Sequence, residues 1–133
     1  MRRLFIGILA VCAAFSYLSC TGEASGEPDF WLGADISWAT EYESRGYKFY
    51  NADGEERECT ELMKELGLNA VRLRVWVDPS AHGGWCSKED LLVKCLRAEK
   101  LGMAILVDFH YSDWWADPAK QNIPASWSGH SYE

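Results

Sequence analysis

Two glycines 35 residues apart, Gly67 and Gly102, each close a helix and open a strand, and this repeated joint constrains the fold more than any other feature. Upstream of the first, Glu55–Leu66 carries Cys59, Leu62, Met63 and Leu66 at i, i+3, i+4 and i+7, the spacing of an amphipathic helix. Gly67 supplies a left-handed cap, and Asn69–Val77 then alternates as a strand. The second unit opens at Ser87-Lys-Glu-Asp90, a capping-box-like signature. Its helix is expected to run to about Leu101 with Leu92, Cys95, Leu96 and Ala98 or lysine-stem positions inward. Gly102 ends it, and Met103–Phe109 is the next strand. Phe30–Ile36 reads as a first strand, followed by a long polar loop through Tyr50.

Strands alternating with helices imply parallel strands joined by right-handed crossovers. The helix-to-strand joints are tight, whereas the strand-to-helix loops are long and hold most of the Trp, His and Asp. A (β/α)₈ barrel has that asymmetry, because its sites sit at the C-terminal ends of the strands. A doubly wound sheet shares it, but no glycine-rich phosphate loop follows any strand here. The expected fold class is therefore α/β, the N-terminal part of a (β/α)₈ TIM barrel with about three β/α units. Such barrels take roughly 250 residues and this chain has 133. It is expected to be one section of a larger enzyme and not to close a barrel by itself.

The first residues read as an address and not as fold. Arg2 and Arg3 precede the uncharged run Leu4–Leu18, too short to span a bilayer comfortably and suited to a signal peptide over residues 1–19. Tyr17-Leu-Ser-Cys20 fits a lipoprotein signal, with Cys20 as the lipidation candidate and Tyr17 departing from the preferred residue. Residues 20–29 read as a flexible tether, leaving 30–133 as a truncated catalytic domain. The expected location is the cell envelope, periplasm or surface, or the medium, with membrane attachment through the lipid on Cys20. Losing residues 1–19 removes two positive charges and no acids, so the formal charge moves from −7 to −9. An acidic exported domain is a poor partner for nucleic acid or anionic lipid. Neutral polymers remain compatible.

The run Asp108-Phe-His-Tyr-Ser-Asp-Trp-Trp-Ala-Asp-Pro118 packs three carboxylates, a histidine and two adjacent tryptophans behind an apolar strand. That is the composition of a sugar-binding rim, where polar groups bond hydroxyls and indoles lie on pyranose faces. A polar loop whose tryptophans plug a core is the plainer alternative. On the second strand, Val71, Leu73 and Val75 share one face, and Arg72, Arg74 and Trp76 share the other. Two inward arginines are costly unless carboxylates pair with them, so that face is expected to orient acids. The plainer alternative is an edge strand with a solvated face. Asp108 and His110 share a face of the third strand, and Asp35 ends the first. Cys59, Cys86 and Cys95 make no complete disulfide framework and no zinc pattern. A metal on His110 with Asp113 or Asp117 lacks a completing shell, and no cofactor is expected.

At these residues the sequence resembles a known family. Gly33-Ala-Asp-Ile-Ser37, Asn69-Ala-Val-Arg-Leu-Arg-Val-Trp76, Gly102-Met103 and Asp108–Pro118 with Gln121 and Pro124 are similar to glycoside hydrolase family 53, the endo-β-1,4-galactanases. The likeness runs from about Phe30 to Trp127. It implies a (β/α)₈ barrel that hydrolyses β-1,4-galactan in type I arabinogalactan with retention, as a monomer when full length. It implies further that Arg72 orients the catalytic nucleophile, with Arg74 as its companion beside Trp76. His110 lines the cleft, and Asp35, Asp113, Trp115 and Asp117 hold cleft or rim positions. Trp115 is the expected stacking platform; the role of Trp114 stays open. The family's acid/base and nucleophile glutamates lie on later strands, beyond Glu133.

Retaining hydrolysis needs two carboxyl groups about 5–5.5 Å apart on either side of the sugar. Asp108 and Asp113, on one strand and its loop, are poorly arranged for that, and the chain alone is expected to be inactive. Two alternatives stand beside the galactanase: a non-catalytic galactan-binding protein, and a clan relative acting on another β-glycan.

Overall fold

A strand whose alternate residues are Val71, Leu73 and Val75 has one face that must be buried, and this strand becomes the centre of a sheet. The structure is a computed structural model and describes residues 30–131. In chain order it has β1 (Gly33–Asp35), α1 (Ala39–Ser44), β2 (Phe49–Tyr50), β3 (Glu56–Arg57), α2 (Cys59–Glu65), β4 (Ala70–Val75), α3 (Lys88–Lys100) and β5 (Ala104–Phe109). Short 3₁₀ turns occupy Ser80–His82 and Ala125–Trp127. β1, β4 and β5 are parallel and lie in the order β1-β4-β5. The register sets Asp35 opposite Arg72 and Arg74 opposite Asp108. This is an open partial barrel, as expected from the alternation of elements.

The outer face of the sheet is the core. Val71 and Leu73 are almost completely buried with Ile36, Ala39, Cys59, Ala98 and Met103. Each of those two strand residues contributes about 1.5–3 kcal/mol by leaving water. Both helix ends turn as the glycines require. Gly67 has φ 90° and Gly102 φ 62°, and the next N–H reaches back to the helix, Leu68 to Met63 O and Met103 to Ala98 O, each at 3.0 Å.

Several boundaries differ from the sequence expectation, for local reasons. The first strand shortens to Gly33–Asp35 because the Asn69 amide replaces ladder bonds upstream. Its Oδ1 accepts from Leu32 N–H at 2.8 Å, and its Nδ2 donates to the Phe30 carbonyl at 2.8 Å. The loop expected through Tyr50 contains α1 and the hairpin strand β2. Asn51 Oδ1 nucleates that hairpin by accepting from Asp53 and Glu55 N–H. The next helix starts at Cys59, later than Glu55, because Glu56 and Arg57 are paired as strand and the Glu58 carboxylate caps it, accepting from Thr60 and Glu61 N–H at 2.9 and 3.1 Å.

α3 keeps its expected cap, with Ser87 Oγ accepting from Asp90 N–H at 3.3 Å, but its buried face is different. Leu92 and Leu96, expected inward, are 56% and 55% exposed. Cys95 and Ala98 face the protein as expected, and Leu91 and Lys94 join them in place of the two leucines. Lys94 sets that rotation: its ammonium is completely buried, donating to the Ser37 carbonyl at 2.7 Å and to Asp90 Oδ2 at 2.6 Å. A helix pinned by this bond cannot also turn Leu92 and Leu96 inward. Cys59, Cys86 and Cys95 are free thiols. The expected signal peptide and tether lie outside the described residues, as does Cys20.

Candidate functional site

The alternation that buries Val71 and Leu73 sends Arg72, Arg74 and Trp76 to the other face of the sheet. Arg72 sits between neighbours of opposite charge. Its guanidinium donates to Asp35 of β1 on one side and to Asp108 of β5 on the other, so one side chain ties three strands together. Asp108 Oδ2 also lies 3.0 Å from His110 Nε2. The row Asp35–Arg72–Asp108–His110 meets the expectation that an inward arginine finds carboxylates. Burial alone would raise the Asp35 pKa. Hydrogen bonds from the Ser37 hydroxyl and backbone, and then from Arg72, outweigh it and hold the carboxyl below its ordinary range.

Arg74 departs from that expectation. Among the described residues no carboxylate pairs with it. It is 3% exposed and its guanidinium carbon lies 4.8, 4.7 and 4.1 Å from the ring centroids of Trp38, Trp76 and Trp115. A desolvated cation over indole gains about 2 kcal/mol, so three rings do the work expected of an acid. Its Nη2 also donates to Cys86 Sγ at 3.9 Å, and its backbone N–H to Ser37 Oγ at 2.8 Å. Each of the three tryptophans follows a different strand. That recurrence in the sequence was the available signal for a cage, and Trp38 was missed.

The adjacent tryptophans divide their roles. Trp114 stacks on His82 at 3.9 Å and 22°, and lies tilted against Trp76 at 4.5 Å and 31°. Trp115 lies against Arg74 on one face and is 41% exposed.

The aspartates of the loop separate too. Asp113 accepts from Asp78 N–H at 3.1 Å and from Ala125 N–H at 2.9 Å. Its carboxylate joins loops and does not join the Arg72 row. Asp117 accepts from Ala119 N–H at 2.8 Å and lies at a cleft of about 600 Å³ with Asp108, His110, Tyr111, Gln121 and Trp127. Asp108, placed on this face by alternation but given no site role, is the residue that joins the cleft to Arg72. Among the described residues no group of three His, Cys, Asp or Glu side chains could hold a metal.

A buried polar layer fixes the rim from beneath. Asp90 Oδ2 accepts from Lys94 and from Cys86 N–H at 2.7 Å. The Cys86 thiol donates to the Ser37 carbonyl at 3.3 Å, and the Cys86 carbonyl accepts from Trp76 N–H at 2.9 Å. Burial raises the Cys86 thiol pKa, with the nearby Lys94 and Arg74 charges opposing it. Lysine and cysteine in an amphipathic pattern carry no sequence sign of this layer.

The site can therefore bind and orient a neutral polar ligand, with an ion-paired row for hydroxyls beside an indole rim. Comparison with known proteins places the chain in a family. Residues 31–133 match the family model "Glycosyl hydrolase family 53". The chain is 40% identical to the endo-beta-1,4-galactanase of Bacillus subtilis (strain 168), over 79% of this chain and 26% of that protein. It is 37% identical to the arabinogalactan endo-beta-1,4-galactanase of Cellvibrio japonicus (strain Ueda107), over 96% and 33%. Among solved structures, the Ignisphaera aggregans GH53 catalytic domain superposes with a TM-score of 0.73 at 42% identity, over 81% of this chain and 32% of that one. The chain thus spans a third or less of the length of these relatives. Because the family model covers most of the sequence and the alternating parallel strands match a solved member, the chain belongs to glycosyl hydrolase family 53.

Proposed function

We propose that residues 30–133 form the first three β/α units of an exported endo-β-1,4-galactanase, binding β-1,4-galactan as one wall of its cleft. The observation that carries this reading is the ion-paired row Asp35–Arg72–Asp108–His110 beside the half-open Trp115. Hydroxyls of a neutral polymer can exchange bonds with such a row, and an indole face suits the apolar face of a pyranose. Asp35 and Asp108 are both committed to Arg72, which suits orientation and not proton delivery. In this reading the acid/base and nucleophile glutamates come from further barrel strands, Arg72 orients the nucleophile, and hydrolysis proceeds with retention in a monomer. Trp115, with Trp76 and Arg74 behind it, is the stacking platform, and Asp117 borders the cleft. Asp113 acts at one remove, by holding its loop. Residues 1–19 direct export, Cys20 carries a lipid, and residues 20–29 are the tether.

The test is reducing-end release from galactan, mannan and cellulose by this chain expressed together with the strands that carry the two glutamates. Release from galactan alone is expected, with His110→Ala lowering the rate far more than Cys95→Ala. Comparable release from mannan or cellulose would refute the substrate reading, and equal losses in the two variants would make His110 structural. The 133-residue chain alone is expected to be retarded by galactan in affinity electrophoresis without cleaving it.

A further inference from the structure

We infer that Asp108 is a positioning residue that fixes the tautomer of His110, so that the neutral ring presents a lone pair at Nδ1 and not a proton. The argument starts from one oxygen. Asp108 Oδ2 accepts from Arg72 Nη2 and lies 3.0 Å from His110 Nε2. A carboxylate bonded to a permanently charged guanidinium has no hydrogen to give. The hydrogen in its bond to the imidazole therefore belongs to Nε2. A neutral imidazole carries one N–H, which leaves Nδ1 bare.

The surroundings of Nδ1 point the same way. It is buried without a hydrogen-bond partner, and so are two donors in the same contact cluster, Arg74 Nε and Trp76 Nε1. The ring stands edge-on to Trp76 at 6.0 Å and to Trp115 at 5.7 Å, and Trp76 and Trp115 both face the Arg74 guanidinium. Either form leaves Nδ1 unmatched at about 1–3 kcal/mol, but a proton there would point a third donor dipole into a cluster that already holds two and a guanidinium charge. A lone pair complements the two donors already there. The backbone holds the residue in place, with His110 N–H donating to the Val75 carbonyl at 3.0 Å and the His110 carbonyl accepting from Ser112 N–H at 2.7 Å. In this tautomer His110 has no proton at Nδ1 to give to a leaving group. As a positioning role this rests on the galactanase reading. As a statement about the ring it does not, so the two fail separately.

The test is the long-range ¹H–¹⁵N correlation of histidine-labelled chain at alkaline pH. The chain has three histidines, and His110→Gln identifies the His110 signals by difference. A single tautomer with a protonated Nε2 and a solvent-protected ring proton is expected. Asp108→Asn, whose carbonyl oxygen can stand where Oδ2 stands, should keep that pattern. Asp108→Ala should lose the protected proton and give averaged nitrogen shifts. An Nδ1–H or averaged pattern in the unaltered chain overturns the inference, as does an Asp108→Ala ring as fixed as the original. If Asp108→Ala does not fold, the unaltered chain and Asp108→Asn still decide it.

Discussion

The Lys94–Asp90 pair predicts an unequal double-mutant cycle. Lys94 is fully buried, and Asp90 is 11% exposed at the side chain. Asp90→Ala leaves the ammonium with the Ser37 carbonyl alone and strips Cys86 N–H of its acceptor. Stranding a buried charge costs about 3–5 kcal/mol. Lys94→Met is milder. The charge leaves the core, Asp90 keeps its bond from Cys86 N–H, and the Ser37 carbonyl still accepts from the Cys86 thiol. A loss of about 1–2 kcal/mol, mainly one hydrogen bond, is expected. The double variant should therefore lose less than the sum of the two single losses, by a coupling of about 1–3 kcal/mol. Urea unfolding well below micromolar concentration, followed by tryptophan emission, measures it. With a slope of about 2 kcal/mol/M, Asp90→Ala should move the midpoint by roughly 2 M. Equal losses in the two single variants, or strict additivity in the double, would refute the claim that the pair is buried and charged.

Acid should destabilise the chain through Asp35 and Glu58. Both carboxyls lie below their ordinary values of 3.8 and 4.5, because hydrogen bonds outweigh burial. The unfolded chain then binds more protons in that window, so stability is full above the ordinary values and is lost as pH falls through the depressed ones. Asp35→Asn with Glu58→Gln should flatten this limb in a pH series of urea midpoints. Leu92, Leu96, Leu106 and Phe109 are exposed by 55–60%, so the chain by itself should self-associate at micromolar concentration. Sedimentation should show Leu96→Glu with Leu106→Glu reducing it, and an unaltered chain that stays monomeric at micromolar concentration would contradict it. In a bacterial host, Cys20→Ala should abolish labelling by radioactive palmitate. Persistent labelling would place the lipid elsewhere.

The period-two pattern of β4 and the two cap glycines made the sheet legible in the sequence. Each is a local rule read by neighbours along the chain. The Arg72 row was legible for the same reason, since alternation alone puts Asp35, Arg72, Asp108 and His110 on one face. The rotation of α3 was not, because Leu92 and Leu96 score as core and only the tertiary bond from Lys94 to Ser37 decides against them. The Arg74 cage was half legible. Its need for a partner followed from burial, but the choice between acid and indole depends on three loops meeting above one strand.

That cage has a consequence for the working range of the rim. A guanidinium keeps its charge at any pH a protein survives, and indoles do not titrate. The arrangement of Trp38, Trp76 and Trp115 about Arg74 is thus insulated from acidity. In the neighbouring row the Asp35 carboxyl does take up a proton, below its ordinary range. As the medium acidifies, the platform should keep its shape after the bonds that grip hydroxyls have begun to fail, so sugar contact degrades from its polar side first.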